Sequence, residues 1–401
     1  MTSSRRHLLG GAAALAAAWV SGARAAEVDL NLPGGGGVRP LITDYPQKGA
    51  MILQRTRPPL LETPFEVFDE GTFTPNNRFY VRWHWAVIPT EVDVNAFRLE
   101  VKGHVNAPLS LTLRELYNLP RVELAAVNQC SGNSRGLFQP RVPGAQWGNG
   151  AMGNAKWVGV RLRDVLDRAG VRAGATVVRF GALDQPVVQE GPDFMKSLAL
   201  DHARDGEVMI AYLMNGEPMT LNHGFPIRLI VPGWFSTYWV KALNSIEVLD
   251  GPDENYWMKT AYRIPDTPGA NVRPGQTGFG TVPINHMVPR SFVTNLRDGA
   301  GLPMGAPAPL RGIAFGGSTG VRAVDVSTDG GASWQPATLG PDEGKYGFRR
   351  WEAGFTPTAR GEARIMVRCT NNDGLAQPAE PNWNGGGYMR NGIETTSVRI
   401  G

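Results

Sequence analysis

The chain has 401 residues, enough for two domains, each with its own core. Fifty glycines and 31 prolines favour strands and turns over long helices, while an apolar content of 42% excludes general disorder. A formal charge of +4, with no basic run interleaved with aromatics, argues against nucleic acid as a partner.

Residues 1–26 read as an export signal. Arg5-Arg6 precedes an apolar stretch over 8–20, and Ala23-Arg24-Ala25 offers a small-x-small cleavage site. The pattern predicts twin-arginine export of a folded protein to the periplasm. The stretch falls short of the ~20 residues that cross a bilayer, so no membrane span is expected. Residues 27–64 are rich in Gly and Pro and read as an extended arm over the surface.

A mixed α/β region is expected over 65–265. It has a strand at 97–101 and a helix capped by Thr112 that runs to Leu119, before Pro120. An amphipathic helix follows at 162–169 with Gly170 as its C-terminal cap, then buried strands at 177–180 and 227–231. A Pro/Gly-rich linker at 265–285 opens the last region, 266–401. There, alternating strands at 321–327, 363–370 and 396–400, with a turn at Asp329-Gly330, predict a small immunoglobulin-like β-sandwich.

The two cysteines have unlike surroundings, which argues against a disulfide. Cys369 lies in an alternating strand and reads as an inert core thiol. Cys130 lies in the polar turn Asn128-Gln129-Cys130-Ser131-Gly132-Asn133-Ser134-Arg135, where a soft thiolate could ligate a transition metal. Arg135, five residues on, offers a cation that would attract an anionic substrate. Three further clusters carry chemistry. In Phe79-Tyr80-Val81-Arg82-Trp83-His84-Trp85, the arginine and histidine are two apart and would share a strand face. The stretch from His223 through Arg228 and Trp239 to Lys241 spreads cations that could converge on a phosphate. The last is Trp257-Met258-Lys259-Thr260-Ala261-Tyr262-Arg263.

Together with Trp157-Val158-Gly159-Val160-Arg161-Leu162 and Val324-Asp325-Val326-Ser327-Thr328-Asp329-Gly330, these motifs resemble the sulfite oxidase family of molybdopterin enzymes over about 65–401. The resemblance implies an α+β protein: a mixed α/β molybdopterin domain followed by an immunoglobulin-like dimerisation domain. It implies molybdenum held by a pterin dithiolene, with Cys130 as the protein's ligand. Arg82, Arg135 and Tyr262 match the oxyanion pocket, which Trp147 closes; His84, Asp184, His223, Arg228, Trp239 and Lys241 match contacts to the pterin or its phosphate.

The segment before residue 65 leaves no room for a haem domain, no Cys-x-x-Cys-His motif occurs, and Thr395 stands where animal members carry a further pocket arginine. The pattern looks most like haem-free bacterial periplasmic sulfite dehydrogenases. That implies oxidation of sulfite to sulfate at a molybdenum-oxo centre, with electrons leaving to an external acceptor such as a c-type cytochrome. It also implies a homodimer, or a heterodimer with a cytochrome subunit. The alternatives are a sulfane dehydrogenase acting on protein-bound sulfur, a methionine sulfoxide reductase, or a cofactor-free binding protein on the same scaffold.

Overall fold

A computed structural model describes residues 26–401; the predicted export signal lies outside the described residues, apart from Ala26. The protein is mostly β, with short helices, as the expected α+β class requires. No helix among the described residues is long and apolar enough to cross a membrane.

The segment expected as a surface arm is instead a sheet, and this corrects the sequence reading. Strands Glu27–Asp29, Val38–Ile42, Met51–Arg55 and Leu60–Glu62 pair in sequence order, and the last pairs with Val81–Arg82. The glycines that suggested an arm cluster at 34–37, whereas Met51, Ile52, Leu60 and Leu61 supply buried apolar positions. Leu60 lies opposite Arg82 in this register, so the N-terminal sheet supports the strand that presents Arg82.

Two further sheets complete the first region. One runs Lys196–Ala199, Val177–Ala182, Leu243–Leu249, Leu99–Gly103, Leu109–Leu111, with its third and fourth strands parallel. The other runs Glu217–Pro218, Met209–Met214, Met152–Arg161, Arg121–Gln129, and Arg228–Ile230 pairs with its second strand. Gly153 has a reason to lack a side chain: a Cβ there would lie 2.5 Å from the Phe79 ring. The predicted helix Leu162–Ala169 forms and stops at Gly170, whose φ of +68° suits glycine. Thr112 caps its helix reciprocally with Glu115, but that helix ends at Tyr117, short of the expected Leu119.

The predicted linker is not structureless, since Arg263–Pro265 and Thr281–Pro283 pair as an antiparallel ribbon. Beyond it, a four-stranded and a five-stranded sheet pack as a sandwich. Val326, Ile365, Val367 and Val398 fill its core against Leu310 and Trp351.

Candidate active site

Cys130 follows directly on the strand Arg121–Gln129 and is 6% exposed. Its amide donates to Ala151 O (2.9 Å), and its carbonyl accepts from the Asn133 amide (2.9 Å). The loop tightens at Ser134, whose φ of +67° is costly for a residue with a Cβ. Three contacts hold it there. The Ser134 amide donates to Gly148 O (2.7 Å), its hydroxyl donates to Asn149 Oδ1 (2.6 Å), and Arg290 Nη1 donates to the same hydroxyl (3.0 Å). Arg290 belongs to the second domain, is 1% exposed and pairs with Glu394. Burial brings its pKa down to about 10 against the pull of that carboxylate. Cys369 lies in the sandwich core, where burial pushes its thiol up, and neither cysteine is in a disulfide.

Two cavities meet at Cys130. The inner cleft is about 580 Å³, and His84, Asp184, His223, Arg228, Trp239 and Lys241 all line it. The outer vestibule is about 1070 Å³ and is lined by Arg82, Arg135, Trp147 and Tyr262. Arg82, Trp83, His84, Cys130 and Tyr262 line both and so form the neck. Asp184, His223, Arg228, Trp239 and Lys241 line the cleft alone and Arg135 and Trp147 the vestibule alone, while His84, Arg82 and Tyr262 are shared between them.

At the neck, Arg82 Nη2 donates to the Tyr262 hydroxyl (2.6 Å), and His84 Nε2 is 2.8 Å from the same oxygen. Arginine can only donate, so the phenol oxygen accepts from Arg82 and its own proton is free to point at His84 Nε2. Burial, then Arg82, Lys241 and Lys196, hold the His84 pKa well below the usual imidazole range, so the ring is neutral and, in the tautomer with its proton on Nδ1, accepts at Nε2. Burial raises the Tyr262 phenol, with Arg82 opposing. Arg135 is tied back by its Nε and Nη2, which donate to Gly386 O (3.2 and 3.1 Å).

The inner cleft is cationic and buried. Arg228 donates to His223 O and Trp239 O (3.1 Å each), and burial brings it down to about 10. Lys241 donates to Arg82 O and lies 4.2 Å from the centre of the Trp83 ring; burial foremost, with Arg228, lowers it to about 7. Burial raises Asp184 to about 6, with Lys241 opposing. Trp239 spends its indole N–H on Trp234 O, so it contributes a ring wall and no donor.

Sequence reasoning missed Lys48, whose Nζ lies 2.5 Å from His223 Nε2 and donates to Asn76 O and Phe79 O. It also missed Tyr80, Asn128, Ser131 and Thr237 in the inner cleft, and Tyr388 in the vestibule. Tyr80, Asn128 and Ser131 stand inside the motifs quoted above, so a signal existed. Lys48 and Tyr388 carried none.

The cleft fits a polar, anionic cofactor. Arg82 Nη1, Trp83 Nε1, Asn128 Nδ2 and Arg228 Nε are buried donors without a protein partner, as are the Ser131 and Thr237 hydroxyls, and one Asp184 oxygen is a buried acceptor without one. Each such group costs about 1–3 kcal/mol if left unpaired. Their convergence on one cleft calls for a ligand rich in acceptors that also offers a donor to Asp184. Among the described residues, no group of three or more His, Cys, Asp or Glu could hold a bare ion. A metal at Cys130 therefore needs ligands carried by the cofactor itself.

Comparisons with known proteins identify the two domains and the family. Residues 85–257 match the oxidoreductase molybdopterin binding domain, and residues 282–399 match the Mo-co oxidoreductase dimerisation domain. The chain is 33% identical to mitochondrial sulfite oxidase of Homo sapiens over 379 residues, covering 90% of this chain and 68% of that protein. It is 32% identical to sulfite oxidase of Gallus gallus, covering 86% and 77%. Among solved structures it is similar to the sulfane dehydrogenase SoxCD from Paracoccus pantotrophus, with a TM-score of 0.71 and 25% identity over 90% of this chain and 88% of that one. A thiol at the junction of a donor-rich cleft and an arginine-lined vestibule, in a chain matched by both domain profiles, is the arrangement of a molybdenum-cofactor oxidoreductase, and the chain belongs to the sulfite oxidase family.

Proposed function

We propose that this molybdenum-dependent oxidoreductase is a sulfite dehydrogenase, converting sulfite and water to sulfate, two protons and two electrons. The observation that carries the reading is the pair Arg82 and Arg135 beside the Cys130 thiol, one with a buried free N–H and both facing the vestibule. When bound, the molybdenum cofactor supplies the exchange of an oxygen atom and two electrons. Cys130 would hold the metal, and His223, Arg228 and Lys241 would hold the pterin and its phosphate, with Asp184 accepting a pterin N–H and His84 and Trp239 walling the cleft.

The chain's own residues then do three things. Arg82 and Arg135 grip the oxygens of a small dianion and leave its sulfur facing inward. Tyr262, kept protonated by burial, orients that anion by holding the Arg82 guanidinium, whose Nη2 donates to its hydroxyl oxygen. His84 Nε2 offers the phenol proton an acceptor, a route for one of the two protons released. Trp147, 1% exposed, closes the vestibule wall and excludes water.

The same reading gives an external acceptor, a c-type cytochrome, and a periplasmic protein exported through Arg5-Arg6. It also gives a homodimer through the second domain, or a heterodimer with a cytochrome subunit. The likeness to SoxCD favours a second reading, oxidation of protein-bound sulfane sulfur. Steady-state assays of the holoenzyme with sulfite, using ferricyanide and then cytochrome c, test the first. Turnover with a persulfide-bearing protein but not with sulfite would replace it by the second.

A further inference from the structure

We propose that Tyr388, supplied by the second domain, sets the width of the anion gap between Arg82 and Arg135 and so restricts the site to small oxyanions. This rests on reading those arginines as the substrate-binding pair.

The two guanidinium groups are joined by a pair of phenols. The Arg82 guanidinium lies 5.9 Å from the Tyr262 ring centre, and the Tyr262 ring stacks on Tyr388 at 5.6 Å and 24°. The Arg135 guanidinium in turn lies 5.1 Å from the Tyr388 ring centre. Arg82, Tyr262, Tyr388 and Arg135 thus form a chain along the vestibule wall, and removing the Tyr388 ring leaves Arg135 without its face.

Tyr388 is fixed from both sides. Its amide donates to Asn384 Oδ1 (3.1 Å), and its carbonyl accepts from the side-chain amides of Asn382 (3.1 Å) and Asn384 (2.9 Å). The next amide, of Met389, donates to Ser131 O (3.1 Å), which ties this loop to the residue beside Cys130. Gly387, at φ +61°, is cut to fit Arg135, because a Cβ there would lie 2.7 Å from both Arg135 Cγ and Nε. The loop is shaped around the Arg135 side chain, and a larger anion would have to displace a ring packed against Tyr262 and Arg135 on a backbone pinned by three hydrogen bonds at Tyr388 and one at Met389.

Calorimetric binding to the resting holoenzyme tests this with two probes of the same dianionic head, sulfate and phenyl phosphate. Wild type should prefer sulfate by about tenfold, the low end of what a pocket wall achieves by size. Tyr388→Ala should shrink that preference to within about threefold, Tyr388→Phe should keep it, and Tyr388→Trp should weaken sulfate itself. A Tyr388→Ala protein with the wild-type preference and an unchanged melting temperature would overturn the proposal. So would a Tyr388→Trp protein that binds sulfate as wild type does. Sulfite turnover by wild type is measured alongside. If turnover is absent while the preference and its loss are as stated, the substrate assignment fails and the role of Tyr388 stands.

Discussion

Replacing Arg82 by Gln probes the site most directly. One terminal nitrogen of Arg82 is engaged by Tyr262 at 2.6 Å, while the other, Nη1, is buried and has no protein acceptor. A substrate oxygen accepting from Nη1 would gain a charge-assisted hydrogen bond of about 1.5–3 kcal/mol. Its loss lowers kcat/KM by about 10- to 150-fold. Most of this should appear in KM, because the guanidinium binds the anion before and during oxygen transfer alike. The fold should survive, since the strand pairing to Leu60 is made by backbone. Steady-state kinetics with sulfite and ferricyanide, at matched molybdenum content per chain, give the answer. An Arg82→Gln enzyme with full molybdenum and wild-type KM would refute the assignment of the anion site.

Cys130→Ser should fold and retain pterin yet lose nearly all sulfite turnover, because a hard oxygen replaces a soft sulfur; wild-type rates would exclude Cys130 as the metal ligand. Cys369→Ser should leave kcat/KM unchanged and cost about 1–2 kcal/mol on denaturant unfolding, since it puts a hydroxyl into an apolar core. Asp253, with a side chain 2% exposed, should make stability acid-sensitive. Burial raises its carboxyl, but hydrogen bonds from Arg179, Ser197 and Asn255 prevail and hold it at about 2. Its folded pKa is thus depressed, so it stabilises by about 1–2 kcal/mol above pH ~4, and this is lost as pH falls toward 2. Asp253→Asn should flatten that part of the stability curve, and an unchanged curve would contradict it.

Much of the site was legible because its residues sit in short polar stretches that break the apolar pattern around them. Arg82 and His84 lie two apart and meet on the Tyr262 oxygen, although the strand itself ends at Arg82. The helix Leu162–Ala169 was legible from its apolar spacing and Gly170 alone. Lys48 was not, because its partner His223 lies 175 residues away and nothing local marks it. Tyr388 and Arg290 act across the domain boundary, where only tertiary packing brings them to Arg135 and Ser134. The N-terminal sheet was misread because glycines crowd its first turn and the strands after it, Met51–Arg55 and Leu60–Glu62, are short and do not alternate.

The grip of Arg290 on Ser134 has a consequence for the order of biosynthesis. The loop after Cys130 is pinned by Arg290, by its counter-ion Glu394 and by the amide of Met389, all of which emerge from the ribosome after the whole first domain. Domains as a rule fold in the order in which they are made. Here the contacts from residues 290, 389 and 394 become available only once the second domain has been made, so a nascent first domain holds Cys130 on a loop that has its Gly148 and Asn149 contacts but lacks these. The full shape that a metal would meet is acquired only after the second domain has been made.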